Sequence, residues 1–348
     1  MSLNTKNLRV TSVVTLASPT EIIAATPISE KAQTTVISGR KQLQATLAGF
    51  DQRLVIICGP CSIHDPKAAL EYAAKLNELR KKYEDRLLIV MRVYFEKPRT
   101  TVGWKGLISD PDLDGRNDVT KGLGLARSIL LKINEMGMPC ATEFLDPIVP
   151  QYISDLVSWV AIGARTTESQ THRQMASGLS MPVGFKNATD GSLQVALDAM
   201  MAARHQHTFL GIDEDGKTSI VNTAGNPDVH LVLRGGNGKS NYSKADIAYT
   251  KALIESHGNR REIMIDCSHG NSNKNFLNQP KVFKEVVEQF AIGEKSILGI
   301  MVESNLIEGK QDLAGGKNLV YGQSVTDACV GWASTEDLLL HAHNALGK

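Results

Sequence analysis

Ionisable side chains follow the short apolar runs of this sequence, at the point where each run ends. Arg92 ends one run, Lys186 ends another and Arg234 follows a third. Buried like charges repel one another, so a cluster of cations needs an anionic ligand. Guanidinium groups bind phosphate and carboxylate through paired hydrogen bonds. The sequence therefore predicts a small polyanionic substrate with more than one phosphate. The cations concerned are Arg92, Lys97, Arg99, Arg165, Lys186 and Arg234.

A second set of residues combines one thiol, one imidazole and two carboxylates: Cys61, His269, Glu303 and Asp327. These mixed donors suit a first-row divalent metal, and leave manganese, iron, cobalt and zinc open. Room for water beside such ligands favours Lewis-acid catalysis. A redox pair in Cys58-Gly-Pro-Cys61 is disfavoured, because Cys58 lies inside a predicted strand.

The elements that must position these groups are eight apolar runs separated by amphipathic stretches. The runs lack polar alternation, which is typical of strands buried on both faces. Strands alternating with helices predict parallel βαβ units, and eight of them fit a (β/α)8 TIM barrel in the α/β class. An open doubly wound sheet is the alternative. The predicted strands are residues 54–58, 87–93, 139–142, 160–164, 183–186, 231–233, 263–266 and 298–302.

The first fifty residues differ from this repeating pattern. We interpret residues 1–50 as an extension packed on a catalytic barrel of residues 51–348. Residues 7–16 are β-prone, and Ser18 followed by Glu21 predicts a capping box at a helix start. A longer helix is expected over residues 28–49. Residues 209–225 read as an inserted β-hairpin, because Asp-Glu-Asp-Gly lies between β-prone residues.

Composition excludes several classes of protein. The 348 residues are 42% apolar, and 38 Lys plus Arg against 37 Asp plus Glu leave a net charge of +1. This balance disfavours a nucleic-acid partner and an intrinsically disordered chain. No apolar run approaches the roughly 18 residues of a membrane span. The five cysteines are scattered and do not form a disulfide framework. We expect a cytoplasmic protein without a membrane partner.

Several long motifs closely resemble the type I 3-deoxy-D-arabino-heptulosonate 7-phosphate (DAHP) synthases. The resemblance runs from about Asn7 to the C-terminus. One departure is Ala188, where the family usually reads Lys-Asn-Gly-Thr-Asp-Gly. The motifs are ICGPCSIHD, MRVYFEKPRTTVGWKGLISDP, IGARTTESQ, PVGFKN, LRGG, DCSHGNS, VESN and YGQSVTDAC.

The resemblance implies condensation of phosphoenolpyruvate with erythrose 4-phosphate, with release of phosphate, as the first step of the shikimate pathway. The residues that would hold phosphoenolpyruvate are Arg92, Lys97, Arg165, Lys186 and Arg234. Arg165 and Arg234 would bind its phosphate. Arg99 and Thr100 would bind the phosphate of erythrose 4-phosphate. A divalent metal held by Cys61, His269, Glu303 and Asp327 would polarise the aldehyde. Lys97 belongs to the catalytic set, and Glu143 and Lys186 are the candidates for handling the water proton.

The resemblance also implies feedback inhibition by an aromatic amino acid at a site between subunits of a homodimer or homotetramer. Gly211 favours tyrosine, because phenylalanine-sensitive members usually carry Ser there and glycine leaves room for the tyrosine hydroxyl. Changing this residue to serine should move the preference toward phenylalanine. The implied effector residues are Asn7, Pro150, Gln151, Leu179, Ser180, Phe209, Gly211 and Val221.

Two alternatives remain open at the level of sequence. A related synthase joins phosphoenolpyruvate to arabinose 5-phosphate on the same barrel, but it reads differently from Lys-Pro-Arg-Thr at residues 97–100. A catalytically silent amino-acid sensor would bind tyrosine and consume no phosphoenolpyruvate.

Overall fold

A computed structural model describes residues 5–254, 260–313, 316 and 318–347. Its central feature is a closed parallel barrel in the order β1-β10-β9-β8-β5-β4-β3-β2, which confirms the predicted (β/α)8 class. The strands are β1 (Leu54–Gly59), β2 (Leu87–Arg92), β3 (Cys140–Glu143), β4 (Trp159–Ile162), β5 (Val183–Lys186), β6 (Thr208–Ile212), β7 (Thr218–Asn222), β8 (Val229–Leu233), β9 (Ile263–Asp266), β10 (Ile297–Glu303), β11 (Ile307–Lys310) and β12 (Gln323–Ser324).

The barrel closes between its first and last strands, where Gly59 of β1 lies beside Glu303 of β10. Every residue of the eight barrel strands is buried. Helices cover the outer face and side chains fill the interior, so both faces of each strand are apolar. This burial explains why the runs showed no polar alternation.

Helices lie between the strands at nearly the predicted positions. They are α1 (Pro19–Ala25), α2 (Glu30–Leu47), α3 (Pro66–Lys82), α4 (Val119–Glu135), α5 (Pro150–Ile153), α6 (Gln170–Ser177), α7 (Gln194–Arg204), α8 (Lys244–Leu253), α9 (Gln279–Ala291) and α10 (Trp332–Ala345). The amphipathic pattern of residues 150–159 predicts a helix over that whole range, but the helix ends early, because a 3-10 turn at Ser154–Leu156 leads directly into β4. A similar pattern predicts a helix over residues 243–257, part of which lies outside the described residues. No helix in the described part is long and apolar enough to cross a membrane.

The N-terminal arm corrects one expectation. Residues 7–16 form no strand, and Val13 is 86% exposed. A β-prone segment becomes a strand only where a neighbouring strand offers hydrogen bonds, and the described part of this single chain offers none there. The capping box that follows is confirmed: the Ser18 backbone N donates to Glu21 Oε2 at 2.7 Å, and the Glu21 N donates to Ser18 Oγ at 3.2 Å.

Helix α2 closes the N-terminal end of the barrel. Leu43 and Leu47 pack into the same apolar cluster as Val55, Trp159 and Met264 of the barrel strands. With that end filled by side chains, a substrate site belongs at the opposite, C-terminal mouth.

The expected hairpin is confirmed as β6 and β7, which pair antiparallel with Leu210 opposite Ile220. Gly216 in its turn has φ 77°, a left-handed conformation that glycine adopts without strain. The start of α1 rests on this turn, since the Thr20 N donates to Glu214 O at 2.9 Å. The arm and the hairpin therefore form one continuous region.

Candidate active site

A cavity of about 890 Å³ opens at the C-terminal mouth of the barrel. The loops after several different strands line it, as expected for groups delivered at strand ends. The predicted substrate and metal residues on its wall are Thr100, Arg165, Arg234, His269, Glu303 and Asp327. Its wall also includes Lys274 and Lys310, two cations that the pattern of strand ends did not predict because both lie further along the chain from the barrel strands.

Three of the four predicted metal ligands meet in this region. Ligand atoms of Cys61, Glu303 and Asp327 all lie within 4.8 Å of one another. The Cys61 Sγ is 3.7 Å from Asp327 Oδ2. The closure of the barrel brings them together, because Cys61 follows β1 and Glu303 ends the adjacent β10. One thiol and two carboxylates within this distance fit a divalent metal of the first row.

His269 stands at the edge of that group. Its Nδ1 lies 2.7 Å from Ser268 Oγ and 3.1 Å from Asp266 Oδ2, and the 4.8 Å cluster of described ligands does not include it. Its φ of 56° is left-handed, which is uncommon for a residue with a β-carbon. Its role as a fourth ligand stays a prediction.

Cys61, Glu303 and Asp327 form a triad, and burial together with the surrounding charges shifts the pKa values of Cys61 and Asp327 in opposite directions. Burial and the nearby Glu303 raise the pKa of the Cys61 thiol, despite the opposing influence of Lys97. Burial opposes ionisation of Asp327, but Lys97 and His269 outweigh it and hold the pKa of that carboxyl below its usual range. These shifts leave Asp327 ionised and Cys61 protonated, and a cation held at the site would take the place of the thiol proton.

Two cations predicted to bind the substrate contact the loop that carries Cys61 directly. Arg92 is 1% exposed, and its Nη2 donates to Glu303 Oε1 at 3.0 Å and to Cys61 O at 3.3 Å. Lys97 Nζ donates to Cys61 O at 3.0 Å. Burial works against the charge on Lys97, but the thiol and Glu303 outweigh it and raise its pKa. Both cations are therefore charged and adjacent to the triad, where an anionic substrate would lie beside the metal.

Lys186 forms a buried ion pair across the barrel mouth. Its Nζ lies 2.8 Å from Asp266 Oδ2, and the side chains are 5% and 0% exposed. Burial opposes ionisation of Asp266, but Lys186 and His269 outweigh it, so the pKa of this carboxyl is well below its usual range. The pair keeps a charged ammonium group at the end of β5.

Glu143 ends β3 and is 6% exposed. Among the described residues, no side chain or backbone group makes a hydrogen bond or ion pair with its carboxylate. Gly163, just after the adjacent strand β4, leaves the space that this carboxylate occupies, because a β-carbon at 163 would lie 2.2 Å from Glu143 Oε1. A buried carboxylate without a fixed partner is suited to exchanging protons with a bound water.

The remaining predicted cations lie nearer to solvent. Arg165 and Arg234 line the cavity together. Burial lowers the pKa of Arg234, the nearby Asp266 raises it, and Arg165 lowers it again. This repulsion between neighbouring guanidinium groups would be relieved by a bound anion. Arg99 is exposed, and its Nε donates to Trp104 O at 2.9 Å.

Glu96 is a buried acid for which the sequence pattern indicates no role. Its carboxylate accepts hydrogen bonds from the backbone N of Leu145 at 3.3 Å and of Asp146 at 3.0 Å. Burial raises its pKa to about 8, although these two hydrogen bonds act in the opposite direction. Glu96 thereby ties the loop that carries Lys97 to the loop that follows Glu143.

The raised pKa of Glu96 predicts a pH-dependent stability. Between the unfolded pKa near 4.5 and the folded pKa near 8, the native chain binds the extra proton, so its stability falls as pH rises through this window. Replacing Glu96 with Gln should remove on the order of 1–2 kcal/mol of the wild-type difference between pH 6 and pH 8. Urea unfolding at both pH values measures this. The exposed change Glu78→Gln should keep the wild-type slope, and an unaltered slope in the Glu96 variant would contradict the assignment.

A second cavity, of about 320 Å³, lies against the hairpin outside the barrel. The predicted effector residues that line it are Pro150, Gln151, Leu179, Phe209, Gly211 and Val221. Within the described part of the chain, Ser180 and Asn7 do not line it, and Asn7 is exposed on the arm. A β-carbon at Gly211 would lie 2.8 Å from Val221 Cγ2, so any side chain there makes Val221 shift. The effector role of this cavity stays a prediction.

The fold and the mouth cavity define a (β/α)8 barrel enzyme, and comparison with known proteins agrees. A model of the DAHP synthetase I family matches residues 25–340. The Tyr-sensitive phospho-2-dehydro-3-deoxyheptonate aldolase of Escherichia coli K12 is 53% identical over 98% of this chain and 96% of its own length. The Phe-sensitive enzyme of the same strain is 52% identical over 99% of each chain.

A solved phospho-2-dehydro-3-deoxyheptonate aldolase from Francisella tularensis SCHU S4 has a TM-score of 0.92 and 47% identity, and the match covers 97% of this chain and 98% of that one. This chain belongs to the DAHP synthetase I family. The identities to the Tyr-sensitive and Phe-sensitive relatives are nearly equal, so they do not identify the effector.

Proposed function

We propose that this protein condenses phosphoenolpyruvate with erythrose 4-phosphate to form DAHP and inorganic phosphate, as the first step of the shikimate pathway. The observation that carries the proposal is the meeting of cations with the triad of Cys61, Glu303 and Asp327 at one barrel mouth, in a member of the DAHP synthetase I family. Two phosphorylated substrates, one with a carboxylate as well, account for the excess of positive groups. Such diffusible substrates agree with the expected cytoplasmic location.

The positions of the cations support the assignment of different cations to different groups of the two substrates. Arg165 and Arg234 line the open cavity, which supports their assignment to the phosphate of phosphoenolpyruvate. Arg92 and Lys186, which are buried, and the half-buried Lys97 lie deeper, where they would hold its carboxylate and neighbouring oxygens beside the triad. The phosphate of erythrose 4-phosphate falls to two exposed residues on one loop, which are Arg99 and Thr100.

A divalent ion of manganese, iron, cobalt or zinc would be held by Cys61, Glu303 and Asp327, with His269 as the expected fourth ligand. When bound, the ion supplies a Lewis acid for the aldehyde oxygen of erythrose 4-phosphate. The enol carbon of phosphoenolpyruvate bonds to the aldehyde carbon, and the aldehyde oxygen takes a proton and becomes a hydroxyl. Water adds to the carbon that carries the phosphate ester and gives up one proton. The bond between that carbon and the ester oxygen then breaks, so that a keto group remains and phosphate leaves with the second water proton. Glu143 and Lys186 are the candidates for taking the water proton, and the buried carboxylate of Glu143, unpaired among the described residues, supports the first of them.

The loss of phosphoenolpyruvate after addition of erythrose 4-phosphate tests this function directly. The assay is run with and without a chelator, and again with arabinose 5-phosphate in place of erythrose 4-phosphate. Loss that needs both the metal and erythrose 4-phosphate supports the proposal. Preference for arabinose 5-phosphate would favour the related synthase. No loss with any divalent metal, together with tyrosine binding, would favour the sensor.

We also propose tyrosine as the feedback inhibitor bound at the second cavity. Gly211 supports this assignment, because the position adds no side chain beside Val221 and so leaves volume for a phenolic hydroxyl. The variant Gly211→Ser should weaken inhibition by tyrosine by at least about tenfold, the lower end of the usual effect of one small group in a binding pocket, and shift the preference toward phenylalanine. Inhibition curves with both amino acids measure this, with Gly124→Ala, where an added β-carbon meets nothing within 4 Å, as the control. Unaltered tyrosine inhibition would reject the steric argument.

A homodimer or homotetramer is the expected assembly. Large apolar side chains are exposed on the arm and the hairpin, including Val13, Leu210 at 79% and Ile220. Contiguous exposed apolar surface is typical of contacts between subunits. Light scattering of the full chain measures the mass, and a monomer at micromolar concentration would contradict this expectation.

A further inference from the structure

Two loops that carry metal-binding residues are joined by a pair of buried hydroxyl groups. Ser62 follows Cys61 directly, and Thr326 precedes Asp327 directly. The oxygens Ser62 Oγ and Thr326 Oγ1 are 2.7 Å apart, although the residues are 264 positions apart in the chain. Ser62 is 1% exposed and Thr326 is 7% exposed. This is a short hydrogen bond, shielded from water, between the immediate neighbours of two ligands.

Each side of the hydroxyl pair is anchored independently. On one side, the backbone N of Ile63 donates to Tyr94 O at 2.8 Å. On the other, the Thr326 N donates to Ser324 Oγ at 3.2 Å, and Ser324 belongs to β12. That strand pairs with β11, which follows the Glu303 loop. The hydroxyl bond therefore spans two fixed segments.

We propose that Ser62 and Thr326 form a positioning pair that sets the separation of Cys61 and Asp327 and thereby the affinity for the metal. The proposal rests on the metal site described under Proposed function. Neither Ser62 nor Thr326 is among the described residues that line the mouth cavity. The pair acts through its neighbours, as groups behind metal ligands commonly do. Its loss should change metal affinity while leaving substrate binding by the metal-loaded enzyme almost unchanged.

The test uses Co²⁺ as the probe, added to the full chain after treatment with a chelator. The near-ultraviolet charge-transfer band between a thiolate and Co²⁺ reports ligation by Cys61 without any assay of activity. Each of Ser62→Ala and Thr326→Val should weaken Co²⁺ binding about 10- to 100-fold, the usual effect of removing a group behind a ligand. The double variant should bind about as weakly as either single variant, because all three remove the 2.7 Å bond between the two hydroxyls. The other hydroxyl contact of Thr326 Oγ1, with Ser324 Oγ, is 3.5 Å long and correspondingly weak.

Two further variants separate positioning from general stability. Thr326→Ser keeps the hydroxyl and should keep the wild-type affinity. Thr46→Val removes another fully buried hydroxyl, which donates to Gln42 O at 2.9 Å in α2, and it should leave Co²⁺ binding unchanged. If a single variant does not fold, the double variant carries the test, since it leaves neither hydroxyl buried alone.

Wild-type Co²⁺ affinity in the folded single or double variants would overturn the proposal. So would a loss in the double variant equal to the product of the two single losses, because the hydroxyls would then act separately. Failure of the metal site itself gives a different result. In that case the wild-type chain shows no thiolate band, or Cys61→Ser binds Co²⁺ as well as the wild type does.

Discussion

Replacing Lys186 with Met is expected to destabilise the fold by about 3–5 kcal/mol, the usual cost of removing one partner from a buried ion pair. The change leaves the carboxylate of Asp266, which is fully buried, without its 2.8 Å ammonium partner. It also removes a cation from the proposed phosphoenolpyruvate site, so turnover should fall at least about 100-fold. Urea unfolding and the consumption of phosphoenolpyruvate measure the two effects separately.

The double variant Lys186→Met/Asp266→Asn serves as the control for this prediction. With both charges removed, the stability should recover by most of the loss, because no uncompensated charge is left in the core. Turnover should stay low, because the cation is still missing. Wild-type stability in the single variant would show that the ion pair is not an important contact. Recovery of turnover in the double variant would remove Lys186 from the proposed chemistry.

Replacing Glu143 with Gln should lower turnover by about 10²–10⁴-fold, the typical contribution of a positioned acid or base. The two side chains have nearly the same shape, so the KM values for both substrates should change little. Steady-state kinetics at saturating metal measure both quantities. Glu168→Gln is the matched control, since Glu168 follows the neighbouring strand but is exposed. Turnover within twofold of the wild type in the Glu143 variant would reject the role.

The space beside Gly163 offers an independent way to move the same carboxylate. Gly163→Ala places a methyl group where Glu143 Oε1 lies, and the flexible end of that side chain can shift without unfolding the chain. Turnover should fall in this variant. In the Glu143→Gln background, Gly163→Ala should lower turnover no further, because the carboxylate that it displaces is already absent. Gly124→Ala, where an added β-carbon meets nothing within 4 Å, controls for the substitution itself.

The sequence was most informative where one local rule determined the outcome. Apolar runs without polar alternation marked the barrel strands, and the shared direction of those strands explains why Arg234, Glu303 and other strand-end groups reach one mouth. The hairpin was likewise predictable, because the turn residues at 213–216 are neighbours in the sequence. A capping box needs residues only three positions apart, and it was confirmed at Ser18.

Features that depend on distant partners were not predictable in this way. Residues 7–16 have the composition of a strand, but their structure depends on whether another strand lies beside them. The burial of Glu96 and the space at Gly163 depend on loops that meet only in the folded barrel. Proximity of His269 to the triad was inferred from strand order, and strand order does not fix a side-chain rotamer.

The pairing of β1 with β10 has a consequence for the order of events during synthesis. Cys61 lies at the first strand of the barrel, whereas Glu303 and Asp327 enter only with the last strand and the segment after it. A nascent chain that has emerged as far as β9 holds the thiol but neither carboxylate. High-affinity binding of a metal ion at the proposed site would therefore have to wait until the barrel has closed, so that ion uptake would report completed folding.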